Sequence, residues 1–313
     1  MSRLRVAVVG TGQWAAQHAR IFSRRPDTEL VAVVGRDPAR TSARAAAYGS
    51  TPYTDIDQML GVARPDLVTV CLPNEAHFEP TLRLVRAGVP LLVEKPLVFD
   101  LKEADVLIQE AADRGLFFAI NFNHRYAEPV LRAKAAIDRG SIDRPVFATW
   151  RYGGEATQGT SMHANLIETQ GHGFDMLEHL VGPIVSVMAQ MTDATYGDFS
   201  TVAIALEFES GAVGTMLGTY DSSYADPDAP LVEINGTGGR ILIHDIVRER
   251  DIQESDESRD FHVTFDRHVE AVVAALRAGD PPPVPATAGR RALRLALAAI
   301  ESFETGRRVG VSE

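Results

Sequence analysis

The sequence predicts an α/β chain in which a doubly wound parallel-sheet domain precedes an α+β domain with an open, mostly antiparallel sheet. Three observations carry this. Over residues 1–121 short apolar runs alternate with helical patterns, and runs that are apolar on both faces suit strands buried between two helical layers. A glycine turn, Gly10-Thr11-Gly12, joins the first run to the first helix. Over residues 122–313 strand candidates follow one another with few helices between them, the pattern of a separate α+β unit.

In the first part the expected strands are Leu4–Val9, Leu30–Val34, Leu67–Leu72, Val89–Val93 and Leu116–Ile120. The expected helices are Gln13–Arg24, Pro38–Tyr48, Glu75–Ala87 and Leu101–Arg114. Asp37 before Pro38 reads as an N-cap followed by a first helical residue, and Asp100 caps the last of these helices. Crossovers of this length are right-handed and give a parallel sheet.

In the second part a helix at Ala127–Arg139 ends at Gly140, and an amphipathic helix covers Leu166–Val181. Strands are expected at Val146–Tyr152, Ile184–Met191, Thr201–Phe208, Ala212–Thr219, Leu231–Ile234 and Arg240–Ile243, with a hairpin at Glu209-Ser210-Gly211. The Leu166 helix is expected to cover one face of that sheet. Asp280-Pro281-Pro282-Pro283 separates two terminal helices, which are free to pack back on the first domain, and the charged segment Arg248–Arg259 reads as an exposed loop.

The 313 residues fit two domains, and 45% hydrophobic with 23% charged content is that of a folded, water-soluble chain. A net charge of −11 argues against nucleic acid or an anionic membrane as the main partner. The single cysteine, Cys71, rules out an internal disulfide and a cysteine-rich zinc site, and its apolar run makes it a buried structural thiol. With the first strand starting at Leu4 there is no room for a signal peptide, and no run approaches a membrane span, so a cytoplasmic protein is expected.

Strand, then Gly10-x-Gly12-x-x-Ala15, then helix lets backbone approach a pyrophosphate at a helix N-terminus. Gly10, Thr11, Gly12, Gln13 and Trp14 are therefore candidates for binding a dinucleotide in a Rossmann domain. The carboxylate that usually meets the ribose 2′-hydroxyl should fall near the end of the second strand. Gly35 stands there, followed by Arg36, which suits a 2′-phosphate and favours NADP over NAD; Arg40 is a second candidate and Asp37 is a helix cap. Glu94-Lys95-Pro96 closes another apolar run at the carboxyl edge of the same sheet, where ligands sit in such folds. Lys95 then stands beside the reactive end of the cofactor.

On the Leu166 helix, Glu168, His172, Asp175 and His179 fall at offsets of zero, four, seven and eleven, one face of an α-helix. Such a face handles protons: imidazole titrates near neutrality and a nearby carboxylate fixes its tautomer. A metal pair from Glu and His is conceivable, but no third ligand is evident and none is assigned.

The glycine turn, Pro73-Asn74 with His77, Glu94-Lys95-Pro96 and the His172-x-x-Asp175 helix together resemble the glucose–fructose oxidoreductase/inositol dehydrogenase (Gfo/Idh/MocA) family over essentially the whole chain. The resemblance implies an NAD(P)-dependent oxidoreductase acting on a sugar, inositol or other polyol, with a sheet that makes a homodimer or homotetramer interface. It assigns the reacting hydroxyl and the nicotinamide to Lys95, acid/base chemistry to His172 and a substrate hydroxyl to Asp175. Two positions depart from the family's Asp-x-Gly-x-His-x-x-Asp: Glu168 stands for the first acid and Gln170 for the glycine. Leu72, Pro73, Asn74, His77 and Glu94 are expected along the cofactor, and Asn121 and Arg125 near the substrate, with His124 beside them. Tyr220 and Asp221 are weaker wall candidates. His163 follows a Gly/Ser/Thr-rich region, Gly153–Ser161, with the composition of a lid or of an inert surface loop. Two other functions fit the same residues: a glycosidase that oxidises its substrate transiently, and a non-catalytic regulator that binds dinucleotide or sugar.

Overall fold

The structure is a computed structural model describing residues 2–153, 163–192, 199–221, 230–244 and 260–312, with only backbone for 260–262. The lid segment beyond Gly153 and the whole of the Arg248–Arg259 loop lie outside the described residues. Two compact units divide the chain, one of residues 1–122 and 265–290, the other of 123–264 and 291–313.

The first unit is built on six parallel strands: β1 (Leu4–Val9), β2 (Thr28–Val34), β3 (Thr51–Tyr53), β4 (Leu67–Val70), β5 (Leu91–Val93) and β6 (Phe118–Ile120), in the order β3-β2-β1-β4-β5-β6. Val6–Val9, Leu67–Val70 and Leu91–Val93 are buried throughout, as strands covered on both faces must be. The crossovers carry α1 (Gln13–Arg24), α2 (Pro38–Ala47), α3 (Ile56–Ala63), α4 (Phe78–Arg86) and α5 (Leu101–Ala112). Asp37 caps α2 through the Arg40 amide, Asp55 caps α3 and Asp100 caps α5. The expected helix Glu75–Ala87 is a short 3₁₀ turn at Asn74–Ala76 followed by α4. β3 and α3 are additions to the sequence reading; β3 is three residues long, contains Pro52 and takes the sheet edge, where a missing amide costs least.

The order of strands changes direction between β1 and β4, which opens the crevice at their carboxyl ends where open α/β sheets hold ligands. Register aligns Val9 with Val70, Val70 with Val93 and Val93 with Ile120. The next residues along, Gly10, Cys71, Glu94 and Asn121, therefore stand in one row at that edge.

The second unit is α6 (Glu128–Asp138), α7 (Gly171–Val181) and a seven-stranded sheet ordered β12-β11-β7-β10-β9-β8-β13. The strands are β7 (Pro145–Gly153), β8 (Ile184–Thr192), β9 (Thr201–Phe208), β10 (Val213–Thr219), β11 (Val232–Gly236), β12 (Arg240–Ile243) and β13 (Val309–Gly310). The sheet is mixed: β10 runs parallel to β7, the other pairs being antiparallel. Val202, Ile204, Leu206 and Phe208 of β9 alternate into the core. On the opposite face the register places Met188, Val213 and Leu242, all exposed. Two long helices precede β13, α8 (Asp260–Ala278) and α9 (Ala286–Thr305), each divided between the two units. No described helix is long and apolar enough to cross a membrane.

Of the described glycines in the first unit, Gly10 has the closest neighbour. Its φ of +135° disfavours any side chain, and a Cβ there would lie 2.1 Å from the Cys71 carbonyl oxygen. Gly10→Ala is expected to lower stability by about 3 kcal/mol, read from denaturant unfolding. Gly12→Ala, whose Cβ meets nothing within 4 Å, is expected to leave unfolding unchanged.

Candidate active site

In the first unit the glycine turn delivers an uncapped helix start. Gly12 is the N-cap of α1, makes no side-chain capping bond, and is followed by no acid in the first turn. Its amides and the positive end of the helix dipole are left for an anion. A Cβ at Gly12 would meet nothing within 4 Å, so its backbone is open to close approach and the turn fits the pyrophosphate of NAD. Thr11 is held by Arg44, whose Nη2 donates to the Thr11 carbonyl at 3.1 Å. Trp14 is half-exposed and stacks on Phe265, ring centroids 5.6 Å apart. Gln13 is exposed beside it. A Cβ at Gly35 would stand 2.5 Å from both Thr11 Cγ2 and Thr41 Oγ1. Packing thus excludes an acidic side chain from the position that commonly meets a ribose hydroxyl, and exposed Arg36 follows directly.

Across the switch point, Leu72, Pro73 and Asn74 leave β4. His77 ties this loop down: Nε2 lies 3.0 Å from the Leu72 carbonyl and Nδ1 2.8 Å from that of Pro96. At 1% exposure it links the β4 and β5 loops from inside.

Glu94 is the next member of the row and is 4% exposed. Its Oε1 accepts from His18 Nε2 at 2.9 Å and from Asn121 Nδ2 at 2.8 Å, while Oε2 accepts the Lys95 backbone amide at 3.3 Å. Asn121 Oδ1 is bonded to His268 Nδ1 at 2.6 Å, so both ends of its buried amide support Glu94. Burial pushes the Glu94 carboxyl up, but the bonds and charge of His18, with Asn121 and Lys95, bring it below its ordinary range. His18 is wholly buried; burial opposes its charge, yet Cys71 and Glu94 together raise it from 6.5 to about 10. Ligand-type atoms of His18, Cys71 and Glu94 lie within 4.8 Å of one another. Thr69 Oγ1, at 3.1 Å from His18 Nδ1, and Glu94 occupy both ring nitrogens. The trio is a hydrogen-bonded ion pair beside a thiol. Half-buried Lys95 follows Glu94 in this setting.

In the second unit the expected single helix from Leu166 is corrected: a π-helical turn, Asn165–Thr169, precedes α7. The Gln170 amide donates five residues back to the Asn165 carbonyl, at 2.9 Å. The wider turn replaces the first α-helical turn expected there, and His172, Asp175 and His179 follow on the regular α7. Gln170, which replaces the family glycine, is fully buried. It accepts from Trp150 Nε1 at 2.8 Å and donates to Asn165 Oδ1 at 3.1 Å. Room for it comes from Gly218 on β10, whose absent Cβ would lie 2.3 Å from the Gln170 side chain.

His172, 8% exposed, lies face to face with His124, centroids 3.9 Å apart and planes 18° from parallel. Asp175 receives a two-pronged ion pair from Arg125, Nε to Oδ2 at 2.8 Å and Nη2 to Oδ1 at 2.5 Å. Burial pushes the Asp175 carboxyl up against the pull of Arg125, and the same pair raises the guanidinium despite its burial. Burial and the nearby Arg125 and Lys134 charges hold His179 down to about 4, neutral at physiological pH. Tyr220 is bonded to Thr169, and Asp221 accepts from Ser200 and Thr201. His163 stacks on Phe199 at 5.1 Å.

Sequence reasoning passed over His18, His268, Thr69 and the stacking role of His124. For His18 a signal existed: it interrupts the buried stripe Ala15, Ala19, Phe22 of α1, and a polar residue on a core face needs a partner. The others are set by contacts distant in sequence and leave no local pattern.

Comparison with known proteins supplies relatives of full length. An inositol 2-dehydrogenase of Rhizobium meliloti is 24% identical, with 99% of each chain covered. A 2,7-anhydro-N-acetylneuraminate hydratase of Mediterraneibacter gnavus is 23% identical over 91% of this chain and 82% of its own. The WlbA dehydrogenase of Bordetella pertussis, solved with NADH and UDP-GlcNAcA, superposes with a TM-score of 0.86 at 20% identity, covering 100% of this chain and 99% of its own. Residues 4–122 match the family model described as an oxidoreductase family, NAD-binding Rossmann fold, and residues 128–311 match its C-terminal alpha/beta domain. The chain is a member of the Gfo/Idh/MocA oxidoreductase family.

Proposed function

We propose that the protein is an NAD(P)-dependent dehydrogenase that moves a hydride between a nicotinamide cofactor and a hydroxyl or keto group of a sugar, inositol or related polyol. The observation that carries this is the row at the carboxyl edge of the first sheet. There the glycine cradle ends β1 and Lys95, on its buried acid, ends β5. Relatives named as inositol dehydrogenases support the substrate class.

The bound nicotinamide supplies the acceptor or donor of the hydride. The chain holds the reactants and manages the proton. Lys95 holds the reacting oxygen and offsets the negative charge that grows there as the hydroxyl proton leaves. His172 accepts that proton on its ring during oxidation and returns it during reduction. Its packing against His124 fixes the ring plane and disfavours a charge on both rings at once. Asp175 keeps Arg125 oriented, and the guanidinium's remaining donors are suited to substrate oxygens. Glu168 is the second carboxylate offered to this chemistry. Asn121 supports it through Glu94.

Arg36, with no acid possible at Gly35, extends the cofactor reading to NADP. The face bearing Met188, Val213 and Leu242 suits self-association into a homodimer or homotetramer, within the cytoplasm. The hydratase relative favours one second reading, a redox-neutral reaction in which the hydride returns to the product. It differs by giving product with no net reduction of added NAD.

Lys95→Ala is expected to keep NADH affinity within about threefold, by fluorescence titration, and to lower turnover of the best polyol at least about a hundredfold; unchanged turnover refutes the role. His172→Ala is expected to remove the near-neutral limb of the kcat/KM profile against pH, and a retained limb excludes it as the base. Arg36→Ala is expected to weaken NADP about tenfold or more while leaving NAD unchanged; equal effects on both exclude a 2′-phosphate contact.

A further inference from the structure

A buried carboxylate needs a cation or donors to stay ionised, because uncompensated burial costs several kcal/mol. Glu94 has two cationic groups within its surroundings: His18, reaching it from α1, and Lys95, the next residue in the chain. If Lys95 alone neutralised Glu94, its ammonium would be tied to the acid and its proton held tightly. His18 takes that part at 2.9 Å with no solvent exposure.

We propose that His18 is a positioning residue for Lys95: as a buried imidazolium it is the counter-ion of Glu94, so that the acid does not depend on the neighbouring lysine ammonium to stay ionised. The groups around the ring fit this charge. Glu94 faces Nε2 from the end of β5, and Thr69 faces Nδ1 from β4. Thr69 accepts from the imidazolium and has its hydroxyl 3.6 Å from Cys71 Sγ, a chain of donors with one direction. Phe22, on α1 itself, and Phe265, from α8, pack against the ring and carry no charge. Cys71, at the end of β4, brings its titratable thiol to the same side, its Sγ within 4.8 Å of the ligand-type atoms of His18 and Glu94; Lys95 along the chain and His268 across Asn121 are reached through Glu94. The pKa of the ring, raised from 6.5 to about 10 by Cys71 and Glu94 against burial, accords with a charged ring. With the folded value the higher one, the pair's contribution to stability is complete below about 6.5 and is lost as pH climbs through about 10.

The inference rests on the proposed role of Lys95 but is tested without turnover. Competitive acetylation of the ligand-free protein across pH, read by mass spectrometry, follows the three lysines Lys95, Lys102 and Lys134 separately. In His18→Gln, which keeps a donor but removes the charge, the midpoint of Lys95 is expected to rise by about one pH unit or more. Lys102 and Lys134 should stay unchanged. In His18→Gln/Glu94→Gln, with no acid left, Lys95 should return to the wild-type midpoint or below. An unmoved Lys95 in a folded His18→Gln protein overturns the proposal, as does the same rise in the double variant. Should the variants not fold, NMR of isotope-labelled histidine in the intact protein decides: two protonated ring nitrogens on His18 well above neutral pH support it, and a neutral ring at neutral pH refutes it. If Lys95→Ala retains turnover while the acetylation shift appears, the catalytic reading fails and the positioning stands.

Discussion

The carboxylate of Glu94, nearly closed off from water, is the constraint around which the working edge of the first unit is arranged. Its charge is held by His18, Asn121 and the Lys95 amide. His18 belongs to α1, the helix whose N-cap is Gly12. One helix therefore offers its first amides to an anion and, less than two turns on, supplies the cation that holds the acid next to Lys95. The cradle and the lysine are fixed to each other through this ion pair and through His77, which ties the β4 loop to Pro96. Adjacent strands set the spacing, and these side-chain bonds remove the remaining freedom.

The second unit orders its groups by packing of another kind. Gln170 fills the space left by Gly218 and is clamped by Trp150 and Asn165. The π-helical turn absorbs this wedge before α7 begins, so His172 starts on a regular helix with its ring against His124. Gly173 completes the arrangement: a Cβ there would lie 2.5 Å from the Trp150 indole nitrogen. The departure from the family pattern at Gln170 thus has a packing cause.

Much of the fold is legible in the sequence because its signals are local. The runs at Leu4–Val9 and Thr201–Phe208 and the helix Gln13–Arg24 coincide with the observed elements, since apolar periodicity and glycine punctuation fix them residue by residue. β3 escapes because three residues around a proline at a sheet edge carry no apolar run. The π-helical turn escapes because a backbone bond five residues back leaves no mark in the apolar pattern. The parallel pairing of β10 with β7 depends on which strands meet across the sheet, and no turn or run encodes that. At the candidate site the chain shows which residues carry chemistry. The groups that support them, His18 for Glu94 and His124 for His172, come from tertiary contacts.

The most direct test of the account is a crystal structure of the protein with NADH. The pyrophosphate is expected on the α1 amides at Gly12 and Gln13, the nicotinamide beside Lys95, and His18 still bonded to Glu94. A dinucleotide bound elsewhere, or a Lys95 ammonium turned onto Glu94 with His18 released, would contradict it.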